Sequence, residues 1–185
     1  MPFLSLQELA RIGFKTIGTN VYIGRRCVIR NPGSIEIGND VRIDDFAILS
    51  ASESAPFTIG NYVHIAPGCL IAGGRGIRIG PYSAMSAGVK VYTASDTYDG
   101  DYMTNPTMPI HMRRVYGSTM EIGKHSIIGT NSVLLPGASL GEGTAIGANS
   151  LVTKPCSEWT IYAGSPARIL RPRNRGAIAF EKELA

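Results

Sequence analysis

Aliphatic residues recur along this chain at a spacing of six. The series runs Ile17, Ile23, Ile29; Ile37, Ile43, Leu49; Ile59, Ile65, Ile71; Ile79, Met85, Val91; Ile122, Ile128, Leu134; and Leu140, Ile146, Val152. Eighteen hexads follow, and nine carry glycine in second place. The fifth place is small in sixteen of them, as at Val21, Ala47, Ser83 and Ser132. A period of six fits neither the 3.6-residue helix nor simple alternation. With an aliphatic and a small residue pointing inward and a glycine relieving the corner, each hexad predicts one short, flat strand. Three hexads make a coil, and six coils stacked at roughly 4.8 Å predict a prism about 30 Å long.

The residues outside the hexads fall at one place in the coil. Segments 35–36, 55–58, 77–78 and 97–121 each follow a third hexad, so one corner of the prism carries every insertion, including the single long loop. Glu53 and Arg75 break the small fifth place in neighbouring coils, which predicts either a pair or a slip of register there. Cys27, Cys69 and Cys156 occupy fifth places, are odd in number and read as small core residues, not as a disulfide, metal site or nucleophile. Ser5 and Glu8 form a capping box with Leu4 and Leu9 as its staple, predicting a helix over 6–12 that covers the first coil. A second short helix is expected over 177–184. The chain thus reads as one domain: a capping segment 1–16, a β-helix 17–157 with loop 97–121, and a C-terminal segment 158–185.

Composition narrows the class. The 185 residues are 44% hydrophobic and only 17% charged, with 22 glycines, which argues against a helical bundle or coiled coil. No apolar run approaches the roughly 18 residues of a membrane span, and the start, Met1-Pro2-Phe3-Leu4, lacks the features of a signal peptide. The expectation is a cytoplasmic protein with no membrane partner. The net charge of +4 is local, with Arg168, Arg171, Arg173 and Arg175 crowded together. Basic residues interleaved with aromatics over a face, as nucleic acid requires, are not seen. A solvated tail and a site for a polyphosphate ligand are the two readings of that cluster.

The repeated hexad, one extruded loop and the ending Gly164-Ser165-Pro166-Ala167-Arg168 together resemble the hexapeptide-repeat acyltransferases, in the branch of maltose and galactoside O-acetyltransferases and sugar-nucleotide N-acyltransferases. The resemblance covers nearly the whole chain. It implies an all-β, left-handed parallel β-helix, a rare exception to right-handed crossovers, and a homotrimer with active sites between subunits. It also implies acetyl-CoA or another acyl-CoA as co-substrate, and no metal. On the matching positions, Ile128-Gly129-Thr130 resembles the segment whose backbone N–H, here that of Thr130, holds the thioester oxygen as charge grows on it. Gly147 and Ala148 resemble the stretch that bonds the pantetheine arm. Thr153, Lys154 and Arg168 would meet the adenine and phosphate end, with Arg171 a weaker candidate.

One departure bears on chemistry. The O-acetyltransferases of this branch end the hexad before the loop in a catalytic histidine; here Val91-Tyr92-Thr93-Ala94-Ser95 is followed by Asp96. A sugar hydroxyl asks for a base titrating near neutrality, which a carboxylate does not match. An amine is already a nucleophile once neutral, and a carboxylate can orient it and relay its proton. Asp96 therefore points to N-acylation of a nucleotide-linked amino sugar, for cell-surface polysaccharide, with Glu121 as a possible assistant where the loop re-enters. An N-cap or loop-anchoring role for Asp96 is the plain alternative. In the loop, Tyr98, Tyr102, His111, Arg113 and Arg114 are candidates to stack on a base or sugar and grip a diphosphate; packing on an adjacent subunit accounts for them equally well.

The alternative reading is an O-acetyltransferase of a sugar or glycan, with His111 or Asp96 as base. A trimeric zinc carbonic anhydrase would need three histidine ligands with two closely spaced, whereas His64, His111 and His125 are scattered. A non-catalytic solenoid would repeat one outward motif, and these outward positions vary from coil to coil.

Overall fold

The computed structural model describes residues 2–184. Three parallel sheets form the walls of a prism. The first stacks Thr16–Ile17, Ile35–Ile37, Phe57–Ile59, Ile77–Ile79 and Met120–Ile122 in that order. The second runs from Tyr22–Ile23 through Arg42–Ile43, His64–Ile65, Ala84–Met85, Ile127–Ile128 and Ala145–Ile146 to Thr160–Ala163. The third runs from Val28–Arg30 through Ile48–Ala51, Leu70–Gly73, Lys90–Tyr92 and Val133–Leu134 to Leu151–Val152. Every strand pairs with its equivalent one coil away, so the architecture is the parallel β-helix of stacked coils, left-handed as expected.

The register follows the hexads. Ile23, Ile43, Ile65, Met85, Ile128 and Ile146 pair in succession, as do Ile29, Leu49, Ile71, Val91, Leu134 and Val152. These side chains fill the axis: Ile43, Leu49, Ile65, Ile71, Val91, Ile128 and Leu134 are completely buried. A partial seventh turn extends the prism, with Cys156 bridged to Leu140 and Tyr162 paired with Ile146. Cys156 is a core residue, but it stacks where a coil opens, because the corner after Val152 is two residues short. Burial pushes the Cys27 and Cys156 thiols up to about 11 and raises that of Cys69, which leaves all three as unreactive thiols.

The corners correct one expectation. The turn is made at the fourth place of the hexad, which takes the left-handed conformation at Asn20, Asp40, Phe46, Tyr62, Tyr82, His125, Asn131, Asn149 and Trp159. The second-place glycine answers a different need, the closeness of stacked coils: a Cβ on Gly129 would lie 2.5 Å from the Ala148 nitrogen. Along one corner the fourth-place side chains form a column, with Tyr62 stacked on Tyr82 at 5.2 Å, Tyr82 on His125 at 5.1 Å, and Trp159 tilted against His125 at 5.9 Å.

Both ends are closed. The helix Leu6–Ile12 carries the reciprocal capping box of Ser5 and Glu8, and Leu9 is buried while Leu4 packs on the core. At the other end, Arg168–Pro172 lies antiparallel on Thr160–Ala163. The turn between these strands laces the exposed edge of the third sheet: Leu151 N–H donates to Gly164 C=O at 3.0 Å, and Ala167 N–H to Leu151 C=O at 2.8 Å. The expected C-terminal helix is a 3-10 helix, Gly176–Glu183, whose Glu181 accepts from Lys124 and His125.

Every insertion does fall at the corner between the third and first sheets. Glu53 and Arg75 lie exposed in turns there, just beyond the paired and buried Ala51 and Gly73, and no ion pair joins them among the described residues. The long loop begins earlier than expected. After Thr93 the chain leaves the wall, and Ala94–Asp96 pairs antiparallel with Val115–Gly117 to form the stem of an arm. The chain re-enters at Met120, parallel to Ile77. Asp96 thus belongs to the arm and not to a wall.

Candidate active site

At the root of the arm, Asp96 lies opposite Val115, and the neighbouring Thr97 N–H donates to Arg114 C=O at 3.1 Å. Its Oδ2 accepts from the Asn105 N–H at 3.3 Å. Its Oδ1 is buried without a partner, as are Thr97 Oγ1 and Arg113 Nε. No other buried side-chain nitrogen or oxygen among the described residues lacks a partner. Buried polar groups are nearly always satisfied, so three orphans of complementary chemistry mark a place where a polar ligand or a neighbouring copy completes the structure.

The rest of the loop candidates divide. Arg113 is half-buried, and its Nη1 donates to Asn105 C=O at 3.0 Å, an internal bond in place of a free clamp. Arg114 stacks over the Tyr102 ring at 5.6 Å. Tyr98 is 90% exposed, and His111 sits on the short 3-10 helix Ile110–Met112, also exposed. Glu121 is on the outer face of the first sheet, paired with Arg78 at 2.7 Å; no hydrogen bond joins it to Asp96. The histidines do not converge: His64 Nε2 lies 2.7 Å from Asp44 and His125 pairs with Glu181. Asp44 is buried, which raises its pKa, but the hydrogen bonds from His64 and Arg42 outweigh that and hold it below the usual carboxylate range.

The second-sheet corner offers a different kind of group. Ala87, Thr130 and Ala148 occupy equivalent places in successive coils, and none of their N–H groups makes a hydrogen bond among the described residues. The carbonyls of the first two are used: Asn131 N–H donates to Ala87 C=O and Asn149 N–H to Thr130 C=O. The result is a column of open donors, held close to the next coil because Gly129 and Gly147 admit no side chain. Such fixed donors suit an oxygen on which charge develops. Near the far end of the prism, Thr153, Lys154, Cys156, Tyr162, Ala167 and Arg168 line a cleft of about 490 Å³. Arg171 lies on the same strand as Arg168, exposed and outside this cleft. Asn105 escaped the sequence reading as a site residue. Its only sign was the Asn-Pro pair, and its left-handed φ of 78° is what turns its backbone towards Asp96.

The prism, its single arm and the open donors at one corner define an acyltransferase of the hexapeptide-repeat kind. A family model described as bacterial transferase hexapeptide (six repeats) matches residues 119–154, and one described as the hexapeptide repeat of succinyl-transferase matches 16–44. The chain belongs to the hexapeptide-repeat acyltransferases. It is 38% identical over 181 residues to the dTDP-4-amino-4,6-dideoxy-D-glucose acyltransferase of Escherichia coli, covering 98% of this chain and 94% of that one. It is 32% identical over 162 residues to the putative lipopolysaccharide biosynthesis O-acetyl transferase WbbJ of Escherichia coli K12, covering 84% and 81%. Among solved structures it resembles AntD, an N-acyltransferase from Bacillus cereus in complex with dTDP and 3-hydroxybutyryl-CoA, with a TM-score of 0.94, 40% identity, and coverage of 99% and 96%. Variants of AntD in which a serine, or an aspartate ten residues later, is replaced have also been solved. No helix among the described residues is long and apolar enough to cross a membrane.

Proposed function

We propose that this chain acylates the amino group of a dTDP-linked 4-amino-4,6-dideoxyhexose, taking the acyl group from acyl-CoA, and that it serves cell-surface polysaccharide. The observation that carries this is Asp96, a carboxylate with one buried oxygen open, standing where an O-acetyltransferase would hold a histidine. Ser86 and Asp96 keep the ten-residue separation of the serine and aspartate replaced in AntD.

In the reaction the amine nitrogen attacks the thioester carbon, forming the C–N bond as the C–S bond breaks. Asp96 Oδ1 orients the amine and takes its proton, which passes to the departing thiolate. The Thr130 N–H holds the thioester oxygen while negative charge grows on it. Gly129, Gly147 and Ala148 give the pantetheine arm a close approach, and Thr153, Lys154 and Arg168 receive the phosphate end. The working unit is a homotrimer with its sites between subunits, supported by the exposed Tyr98, Met103, Ile110 and Met112 on the arm, which a neighbouring copy would cover.

The test is thiol release from acetyl-CoA and 3-hydroxybutyryl-CoA, with dTDP-4-amino-4,6-dideoxyglucose against the matching 4-hydroxy sugar. Turnover confined to the amino sugar is expected, and Asp96→Asn should cut kcat by about 10²-fold, the scale of general-base catalysis. Turnover on the hydroxyl sugar instead overturns the reading in favour of O-acylation.

A further inference from the structure

The two oxygens of Asp96 are not equivalent, and the cause lies nine residues away. Asn105 is held from both sides: its N–H donates to Asp96 Oδ2 at 3.3 Å and its C=O accepts from Arg113 Nη1 at 3.0 Å. Asn105 also closes a local turn, its Oδ1 accepting from Thr107 N–H at 3.0 Å and from the Thr107 hydroxyl at 2.6 Å. Arg113 is itself anchored, bridged to Met103 and with its N–H on Ile110 C=O at 3.3 Å. A path of two hydrogen bonds therefore runs from the guanidinium through the backbone of Asn105 to the carboxylate.

We propose that Arg113 is a positioning residue for Asp96: by bracing Asn105 it pins Oδ2, so that Oδ1 is the atom presented to the substrate amine. This rests on the role given to Asp96 above. A carboxylate free to rotate would offer either oxygen at many angles, whereas rate depends on holding the reacting groups near one geometry. An arginine kept only for folding would have its buried N–H groups satisfied; Arg113 Nε, like Asp96 Oδ1, is buried without a partner. The same bond makes Arg113 a poor candidate for the diphosphate clamp that its place beside Arg114 suggests.

The experiment is a double-mutant cycle on the full-length enzyme with acyl-CoA and the dTDP-linked amino sugar: wild type, Arg113→Met, Asp96→Asn and the double variant, with a thermal melt of each. If Arg113 acts through Asp96, Arg113→Met lowers kcat about tenfold with both KM values within about twofold, and the double variant is no slower than Asp96→Asn alone. Arg113→Lys, which keeps a donor for Asn105 C=O, recovers most of the loss. Should Arg113→Met fold poorly, Arg113→Lys in the same cycle serves, with a smaller fall in kcat alone that vanishes beside Asp96→Asn. Effects that multiply in the double variant overturn the proposal while leaving Asp96 its role. So does a large rise in KM for the nucleotide sugar at unchanged kcat, which makes Arg113 a substrate ligand. A near-normal Asp96→Asn instead removes the role of Asp96 itself, and this proposal with it.

Discussion

The wall of the prism and the arm that leaves it are built on opposite terms. In the wall, Ile65 is completely buried and pairs with Ile43 on one side and Met85 on the other; Val91 lies likewise between Ile71 and Leu134. Each coil supplies the surface its neighbour needs for side chains, and for backbone groups apart from the open donors of Ala87, Thr130 and Ala148. In the arm, Tyr98 and Ile110 are 90% and 82% exposed, and Asp96 Oδ1, Thr97 Oγ1 and Arg113 Nε are buried without partners. The difference separates two tasks. The wall carries stability and leaves open only the backbone donors at one corner; the arm presents side-chain groups without partners in the chain, and the proposed reaction needs both.

The contrast breaks most visibly through the core. Ile65→Ala should cost about 2–5 kcal/mol, since the lost methyl groups leave a cavity between two coils that cannot collapse. Ile110→Ala should cost the single chain no more than about 0.5 kcal/mol, any larger loss coming through the neighbouring copy and varying with protein concentration. Urea denaturation at two protein concentrations compares them, and a comparable loss independent of concentration would mean that the arm packs on its own chain far more tightly than its exposure says. Asp96→Asn should show the reverse pairing, a rate loss of about 10²-fold with an unchanged melt. Between these lies Gly129→Ala, whose Cβ would meet Ala148 N at 2.5 Å, Gly147 C at 2.8 Å and Ile146 O at 2.8 Å, all backbone and none free to step aside. About 1–3 kcal/mol of stability should go, and kcat with it, because the Thr130 N–H is the adjacent donor. A stable but slow Gly129→Ala would show that the close approach serves the ligand more than the stack.

The same division governs what could be read from sequence. Period and pairing are one fact in the wall: Ile17, Ile37, Ile59, Ile79 and Ile122 must align because each coil repeats the last, and the helix over 6–12 follows from four residues that satisfy one another. Where repetition stops, so does the inference. Ala94–Asp96 continues the hexad spacing yet pairs with Val115–Gly117, because antiparallel pairing across the arm competes with stacking on the previous coil, and no periodic signal weighs the two. Glu121 looked close to Asp96 by register, but a strand's side chains alternate between faces, and its outward face meets Arg78 first. Asn105 matters through its backbone, which leaves almost no mark on residue type.

The smallest expected effect tests whether the wall's self-sufficiency extends to its cap. The Ser5 backbone N–H, then the Arg25 side chain and then the Ser5 hydroxyl hold the Glu8 carboxyl at about 2, down from its ordinary 4.5. Its folded pKa is the lower one, so its contribution is present in full above pH 4.5 and is lost as the pH falls from there towards 2. Amide exchange over residues 6–12 should therefore lose protection across that window ahead of the coils. Ser5→Ala should remove about 1 kcal/mol of the cap at neutral pH and flatten the window. If the coils stack without help from the cap, their protection holds while the helix frays; simultaneous loss in both would mean that the first coil, where Ile17 is 37% exposed, depends on the helix for its order. Protection over 6–12 that does not change between pH 4.5 and 2 would mean that Glu8 contributes nothing to holding the helix.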